Sequence, residues 1–227
     1  VLRLGVHNSG WTPSPGHERV VDRSVWPLLR EYVTAVMSRF SRDARVVAWD
    51  IYNEPGNGGM RDQSLPLLSE AFRWARRVSP QQPLTTGVWD PGQGSLCETS
   101  LAASDIATYH CYGDLSALET YATGHRDSDR PRICTEWMSR PLGSLFQTHL
   151  PFFKQNGIGC FSWGLVRGKT QTYFPWDSPP GAGEPSLWFH DIFHIDGRPY
   201  REEETAFIRH CLLGEMDARS ETERSAG

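Results

Sequence analysis

Two glutamates stand where apolar segments of the chain end, and they are the first residues whose types and spacing suggest chemistry. Glu54 follows Trp49-Asp50-Ile51-Tyr52-Asn53, and Glu136 closes Arg130-Pro131-Arg132-Ile133-Cys134-Thr135. Hydrolysis of a glycosidic bond requires a carboxyl group that donates a proton and a carboxylate that attacks or stabilises an oxocarbenium-like transition state. The pair therefore predicts a two-carboxylate site, provided that the fold brings both strand ends together.

Each glutamate also has a simpler interpretation. Pro55 lacks an N–H donor and ends the strand before it. When this motif is considered in isolation, Glu54 is interpreted as an ordinary solvated acid in a loop. Neighbouring residues on a strand point to opposite faces, so Asn53 and Glu54 serve one site only where the strand breaks or bulges. For Glu136 the simpler interpretation is a structural ion pair with Arg140.

The elements that must position these residues alternate between helix and strand from residue 24 onward. We predict strands at 45–52, 83–89, 105–112, 131–137 and 158–163. Helices are predicted from a Ser24 cap to about 40, from about 64 to 78, and at 94–103, 115–123, 144–156 and 202–213. This order is typical of a parallel α/β protein, in which reactive side chains collect at the carboxyl ends of the strands.

The other predicted strand ends also carry side chains suited to a sugar site. His110 and Tyr112 lie two residues apart, on one face of a strand, where an imidazole and a phenol could hydrogen-bond the attacking carboxylate and hold its orientation. Indole faces stack on sugar rings, so the tryptophans at strand ends are candidate platforms: Trp89, Trp137 and Trp163. Packing in the core is the alternative for each of these side chains.

Taken together, these motifs resemble clan A glycoside hydrolases, and most of all glycoside hydrolase family 5, the cellulase-type (β/α)8 barrels. The resemblance implies that Asn53-Glu54 ends barrel strand four, with Glu54 as general acid/base, and that Glu136 ends strand seven as the nucleophile. It further implies that Asn53 holds the sugar 2-hydroxyl. His110 and Tyr112 would then belong to strand six, and Trp163 would end strand eight.

The resemblance also implies a departure, because three barrel strands expected before residue 45 have no counterpart. We therefore predict a TIM barrel of which about strands 4–8 and their helices are present, in one partial catalytic domain at 1–214. A polar, disordered tail is predicted at 215–227. The chain starts without Met or a signal peptide, which we interpret as a cut end. An open sheet edge would favour self-association.

Composition excludes several other classes of function. The net charge is −4 and the isoelectric point about 6.1, without a basic stripe, which argues against nucleic-acid binding. No apolar run is long enough to span a membrane. Five cysteines without metal-like spacing favour a reducing, cytoplasmic-type compartment. Gly56-Asn57-Gly58-Gly59 lacks the lysine of a phosphate loop, and no cofactor is expected.

Three hypotheses about function follow. The first is a retaining β-glycoside hydrolase acting on β-linked poly- or oligosaccharides by double displacement. The second is a non-catalytic carbohydrate-binding or vestigial barrel fragment. The third is a metal-dependent hydrolase built on His190 and His194, which lie at i, i+4 but in a segment that reads as extended, so we predict no metal site.

Overall fold

The computed structural model describes residues 2–124 and 129–213, and the predicted tail at 215–227 lies outside them. The chain divides into two compact units. The carboxylate unit comprises Thr12–Cys111 and Glu119–Glu136. The aromatic unit comprises the described residues of Val1–Trp11, Tyr112–Leu118 and Trp137–Gly227.

Helices and strands alternate as the sequence predicts, and the fold is α/β with parallel strands. The strands are β1 Trp49–Asp50, β2 Leu84–Thr85, β3 Ala107–Cys111, β4 Arg132–Trp137 and β5 Gly159–Ser162. The helices are α1 His17–Val21, α2 Trp26–Phe40, α3 Leu65–Val78, α4 Gly94–Ala103, α5 Leu115–Gly124, α6 Phe146–Gln155 and α7 Glu202–Leu213. Short 3-10 turns cover Asn8–Gly10, Arg23–Val25, Asn57–Gly59, Arg61–Ser64 and Arg140–Leu142.

Helix α3 organises the core of the carboxylate unit. Its apolar residues recur at helical spacing, so one face is buried: Leu67, Leu68, Ala71, Phe72, Trp74 and Ala75. This face packs on Trp26 and Met37 of α2, on Leu84 of β2 and on Leu96 of α4. Each large apolar side chain buried in this way contributes about 1.5–3 kcal/mol, which fixes the helices behind the strands that carry the candidate site.

The strands of the carboxylate unit run side by side in chain order. β1 and β2 are parallel, with Trp49 opposite Leu84 and Asp50 opposite Thr85. A parallel bridge joins Val88 to Tyr109, and β3 lies next to β4. β1 and β2 form one short sheet, β3 and β4 belong to another, and the Val88–Tyr109 bridge links the two. Since parallel neighbours end on the same side, the residues that follow β1 and those that end β3 and β4 lie at the same end of the strands.

The aromatic unit is built around buried rings and one buried ion pair. Trp137 stacks on His149 with ring centroids 5.5 Å apart and packs against Phe146 and Phe153 of α6. The Arg140 guanidinium donates two hydrogen bonds to the Glu204 carboxylate, at 2.8 and 2.6 Å. Arg140 is therefore paired with Glu204, whereas the simpler interpretation of Glu136 had paired Glu136 with Arg140.

Several predicted boundaries are wrong, each for a local reason. Ladder pairing in the predicted strand 45–52 is confined to Trp49–Asp50, because Arg45 is held in a turn by Asp43. Ser24 does not cap α2. It lies in a 3-10 turn capped by the side chain of Asp22, and α2 begins at Trp26.

Among the described residues, no helix combines the length and the hydropathy needed to cross a membrane.

Candidate functional site

Glu54 lies where the backbone leaves the extended conformation after β1. Its φ of 47° places it in the left-handed region, and Pro55 follows it. A non-glycine residue is uncommon there and is held in place by its surroundings. This break is the condition under which Asn53 and Glu54 can serve one site. Asn53 is exposed, and Glu54 turns into the unit.

Both oxygens of the Glu54 carboxylate have partners within the carboxylate unit. His110 Nδ1 lies 2.7 Å from Glu54 Oε1, and Asn57 Nδ2 donates to Glu54 Oε2. The Asn57 backbone N–H also donates to the Glu54 carbonyl, at 3.1 Å. The carboxylate is thus oriented from two sides. Sequence reasoning missed Asn57, whose only signal was its place three residues after the acid.

Glu136 approaches the same imidazole from β4. Its Oε2 lies 3.4 Å from His110 Nδ1, and its side chain is 12% exposed. One ligand atom from each of Glu54, His110 and Glu136 can be chosen so that all three lie within 4.8 Å of one another. The fold therefore brings together two acids that are far apart in the sequence, with a histidine between them.

His110 is the electrostatic link of this cluster. Burial alone would lower its pKa, but the hydrogen bond to Glu54 and the charges of Glu136 and Glu54 outweigh burial and raise the pKa above its ordinary value. A protonated His110 offsets the repulsion that two carboxylates at this spacing would otherwise experience. The sequence predicted that His110 orients the attacking carboxylate, Glu136; in the structure His110 Nδ1 lies 2.7 Å from Glu54 and 3.4 Å from Glu136.

Gly87 provides the space that His110 occupies. A Cβ at Gly87 would lie 2.5 Å from His110 Nε2 and 3.0 Å from Cε1. The Gly87 N–H donates to Asp50 Oδ2 at 3.3 Å, which ties the same backbone to β1. Sequence reasoning missed Gly87, because a glycine within a strand carries no signal of what lies opposite.

Trp89 is held rigidly beside Glu54. Its Nε1 donates to the Pro55 carbonyl at 3.1 Å, and its own carbonyl accepts from the Tyr121 hydroxyl at 2.6 Å. The half-buried indole therefore has a fixed orientation next to the loop that carries the acid. Such an orientation suits a stacking surface, as the sequence predicted for this tryptophan.

The remaining candidates lie in the aromatic unit. Tyr112 packs against Trp176 and His190, with ring centroids 5.0 and 5.3 Å apart. Trp163 ends the β5 segment and is half-buried. Trp137 is 1% exposed and stacked on His149, so its indole faces packing partners and does not serve as a platform in this structure.

The metal hypothesis based on His190 and His194 has no supporting geometry. His190 is fully buried, its Nδ1 donates to the Met138 carbonyl, and His194 packs on Trp188 with ring centroids 4.6 Å apart. Within residues 2–124 and 129–213, the group whose ligand atoms lie close enough for an ion is Glu54, His110 and Glu136. Ligands about 2.1 Å from a tetrahedral ion lie about 3.4 Å apart. The 2.7 Å contact between His110 and Glu54 is instead a hydrogen bond.

Comparisons with known proteins show the fold alone. Neither the protein-family models nor the curated proteins give a match. Among solved structures, a Faecalibacterium prausnitzii β-glucuronidase is 15% identical with a TM-score of 0.57, covering 90% of this chain and 36% of that one. An Eisenbergiella tayi family 2 β-galacturonidase is 12% identical with a TM-score of 0.57, covering 84% and 38%.

A second kind of neighbour is a family 10 endo-β-1,4-xylanase from Gloeophyllum trabeum, 14% identical with a TM-score of 0.54, covering 92% of this chain and 73% of that one. The chain thus spans just over a third of the β-glucuronidase and of the β-galacturonidase, and about three quarters of the xylanase. None of these comparisons singles out family 5. The chain has a glycoside-hydrolase-like α/β fold.

Proposed function

We propose that the protein is a retaining β-glycoside hydrolase. The observation that carries the proposal is the spacing of the two acids, whose oxygens approach within 4.8 Å across His110. Carboxyl groups of retaining enzymes lie about 5–5.5 Å apart, whereas inverting enzymes keep about 6.5–9.5 Å to admit a water molecule between acid and sugar. The short spacing supports double displacement.

In the proposed first step, Glu136 attacks the anomeric carbon and forms a glycosyl ester. The bond to the leaving-group oxygen breaks, and that oxygen takes the proton of Glu54. In the second step water attacks the anomeric carbon, Glu54 accepts its proton, and the ester bond to Glu136 breaks. His110 keeps both carboxyl groups in position through its contacts at 2.7 and 3.4 Å.

We further propose which family of glycoside hydrolases the chain resembles most. We assign the chain to a family 5-like barrel in which β1 to β5 correspond to strands four to eight. The order of Asn53-Glu54, His110, Tyr112, Glu136 and Trp163 along the chain supports this assignment. The substrate is a β-linked poly- or oligosaccharide, and Asn53 binds the 2-hydroxyl of the sugar under attack.

The test is a panel of aryl β-glycosides and β-linked oligosaccharides assayed with the unmodified chain and two variants. Glu136→Ala is expected to lose more than about 10⁴-fold in kcat/KM, since no covalent intermediate forms. Glu54→Ala loses about 10²–10⁴-fold on oligosaccharides, which need a protonated leaving group. Proton NMR of the first product distinguishes retention from inversion. Initial release of the α-anomer would contradict the proposal.

A further inference from the structure

A cleft of about 440 Å³ opens beside the loop that follows Glu54, within the carboxylate unit. One wall is the loop that follows Glu54, with Gly56, Arg61 and Asp62, and the other begins at Trp89 and runs into α4. The volume lies in the range of small-ligand sites, about 300–1,000 Å³. The two-carboxylate mechanism assigns no role to most of these residues.

The walls of the cleft are built to keep their shape. Gly56 has a φ of 84°, and a Cβ there would lie 2.1 Å from Gln93 Oε1, so the two walls approach more closely than any side chain at this position permits. Asp62 Oδ1 accepts from Ser95 Oγ at 3.0 Å and joins the walls a second time. Trp89 is fixed through its hydrogen bond to the Pro55 carbonyl.

The polar groups in the cleft match hydroxyl groups. Asp62 and Asp90 offer carboxylate acceptors, and Arg61 is an exposed donor on the same loop. Gln93 Oε1 is buried where the two walls meet at Gly56, so the polar groups open to a ligand are the two carboxylates and Arg61. A hydroxyl both donates and accepts, and the Trp89 indole provides a face for a pyranose ring.

The charge of the cleft excludes an acidic ligand. Two carboxylates face one guanidinium, so the net charge of the lining is negative, and a ligand carboxylate would be repelled. The chemistry that fits is an uncharged polyhydroxylated ring.

We propose that this cleft is the subsite for an uncharged sugar on the leaving-group side of the scissile bond. The placement rests on the proposed function, because the acid that protonates the leaving oxygen must touch the leaving sugar. Gly56, two residues after Glu54, lines the cleft, and Trp89 on the other wall donates to the Pro55 carbonyl. The substrate is then an oligosaccharide or polysaccharide with at least one neutral sugar beyond the cleaved bond.

The experiment compares substrates that fill the cleft with substrates that leave it empty. Kinetics are measured on β-linked cello-, xylo- and manno-oligosaccharides and on the matching β-glycosyl fluorides, whose leaving group is a single atom. Trp89→Ala is expected to lower kcat/KM on the oligosaccharides by about 2–12-fold more than on the fluorides, since the loss of one aromatic face affects only substrates that fill the cleft.

Equal losses on both substrate kinds would overturn the proposal, because Trp89 would then act only by positioning Glu54 through Pro55. Arg61→Ala is expected to follow the same pattern more weakly. The matched control is Arg77→Ala, because Arg77 is an exposed arginine on α3.

Oxidising the reducing-end sugar to its aldonic acid places a carboxylate in the cleft and is expected to weaken the reaction. Unchanged kinetics with the oxidised substrate would contradict the charge argument.

The cleft can be tested even where no turnover is found. Absence of turnover on every substrate would refute the proposed function, and the tryptophan fluorescence of the unmodified chain would then be titrated with the same oligosaccharides. Binding that Trp89→Ala removes, and Arg77→Ala keeps, supports the saccharide site by itself. No fluorescence change with any of the three oligosaccharide series would overturn it.

Discussion

A single methyl group at Gly87 should disturb the candidate site more than its size suggests. Gly87 lies outside the left-handed region, so alanine is tolerated by the backbone and the effect comes from contact alone. The new Cβ would lie 2.5 Å from His110 Nε2, whereas ordinary contact begins at 3.4 Å, so the ring must move by about 0.9 Å. The hydrogen bond from His110 to Glu54 opposes that movement.

The expected magnitude follows from this displacement. Overpacking a filled interior costs about 1–3 kcal/mol of unfolding free energy, and misplacing a catalytic group by about 1 Å costs about 100-fold in rate. Gly87→Ala is therefore expected to lower stability in urea titrations by that amount and to lower kcat/KM on aryl β-glycosides by about 100-fold. Gly183→Ala is the matched control, since nothing lies within 4 Å of its added Cβ.

A double-mutant cycle separates contact with His110 from a general effect on the strand. In a His110→Asn background the shorter side chain leaves room for the methyl group, so adding Gly87→Ala should change stability by less than about 0.5 kcal/mol. The reasoning is refuted if Gly87→Ala behaves like Gly183→Ala, or if its cost is the same with and without the imidazole.

Two further predictions concern stability, and a third concerns oligosaccharide binding. Burial lowers the pKa of His190 from 6.5 to about 3, so between these pH values the unfolded chain binds a proton that the folded chain does not. Stability is lost as pH falls below 6.5, by about 2 kcal/mol at pH 5, and urea titrations should show that His190→Gln loses less on acidification. A parallel loss in both proteins would contradict this. Arg140→Ala should cost about 3–5 kcal/mol because buried Glu204 loses both hydrogen bonds of the guanidinium and keeps Arg201 at 3.9 Å. Arg140→Met combined with Glu204→Leu should recover part of the loss in the same assay, since the Trp188 and Asp191 carbonyls still lose their donor; no recovery would refute the ion-pair explanation. Gly56→Ala should weaken oligosaccharide binding in fluorescence titrations, because its Cβ meets Gln93 Oε1 and its φ of 84° strains an L-residue; unchanged binding would show that the cleft tolerates the displacement.

The sequence was sufficient to predict which elements form and where chemistry collects. Helical periodicity predicted α3 to within about one residue, because its apolar residues recur along one buried face. Strand bounds were predicted less well. β1 is short because Asp43 and Arg45 form a local turn, and side-chain hydrogen bonds of this kind compete with the sheet ladder. The alternation of apolar and polar residues, from which strands are predicted, does not reveal that competition.

The candidate acids were also apparent from the sequence, as residues at strand ends whose order resembles a known family. Their distance was not, because the spacing of Glu54 and Glu136 depends on the register of separate strands and on the left-handed conformation at Glu54. The tertiary structure also decided which tryptophans are available, since Trp137 and Trp89 look alike in sequence and differ only in what packs on them.

What the sequence determined by itself is therefore local: residue type, periodicity, and the strand ends at which acids and aromatic residues stand. What only the tertiary structure decided is non-local: the contact of His110 with both carboxylates, the space that Gly87 leaves for the ring, and the cleft beside the loop that follows Glu54. The physical reason is that burial and charge act through space. A side chain's pKa, orientation and accessibility depend on atoms that the chain brings near from distant positions.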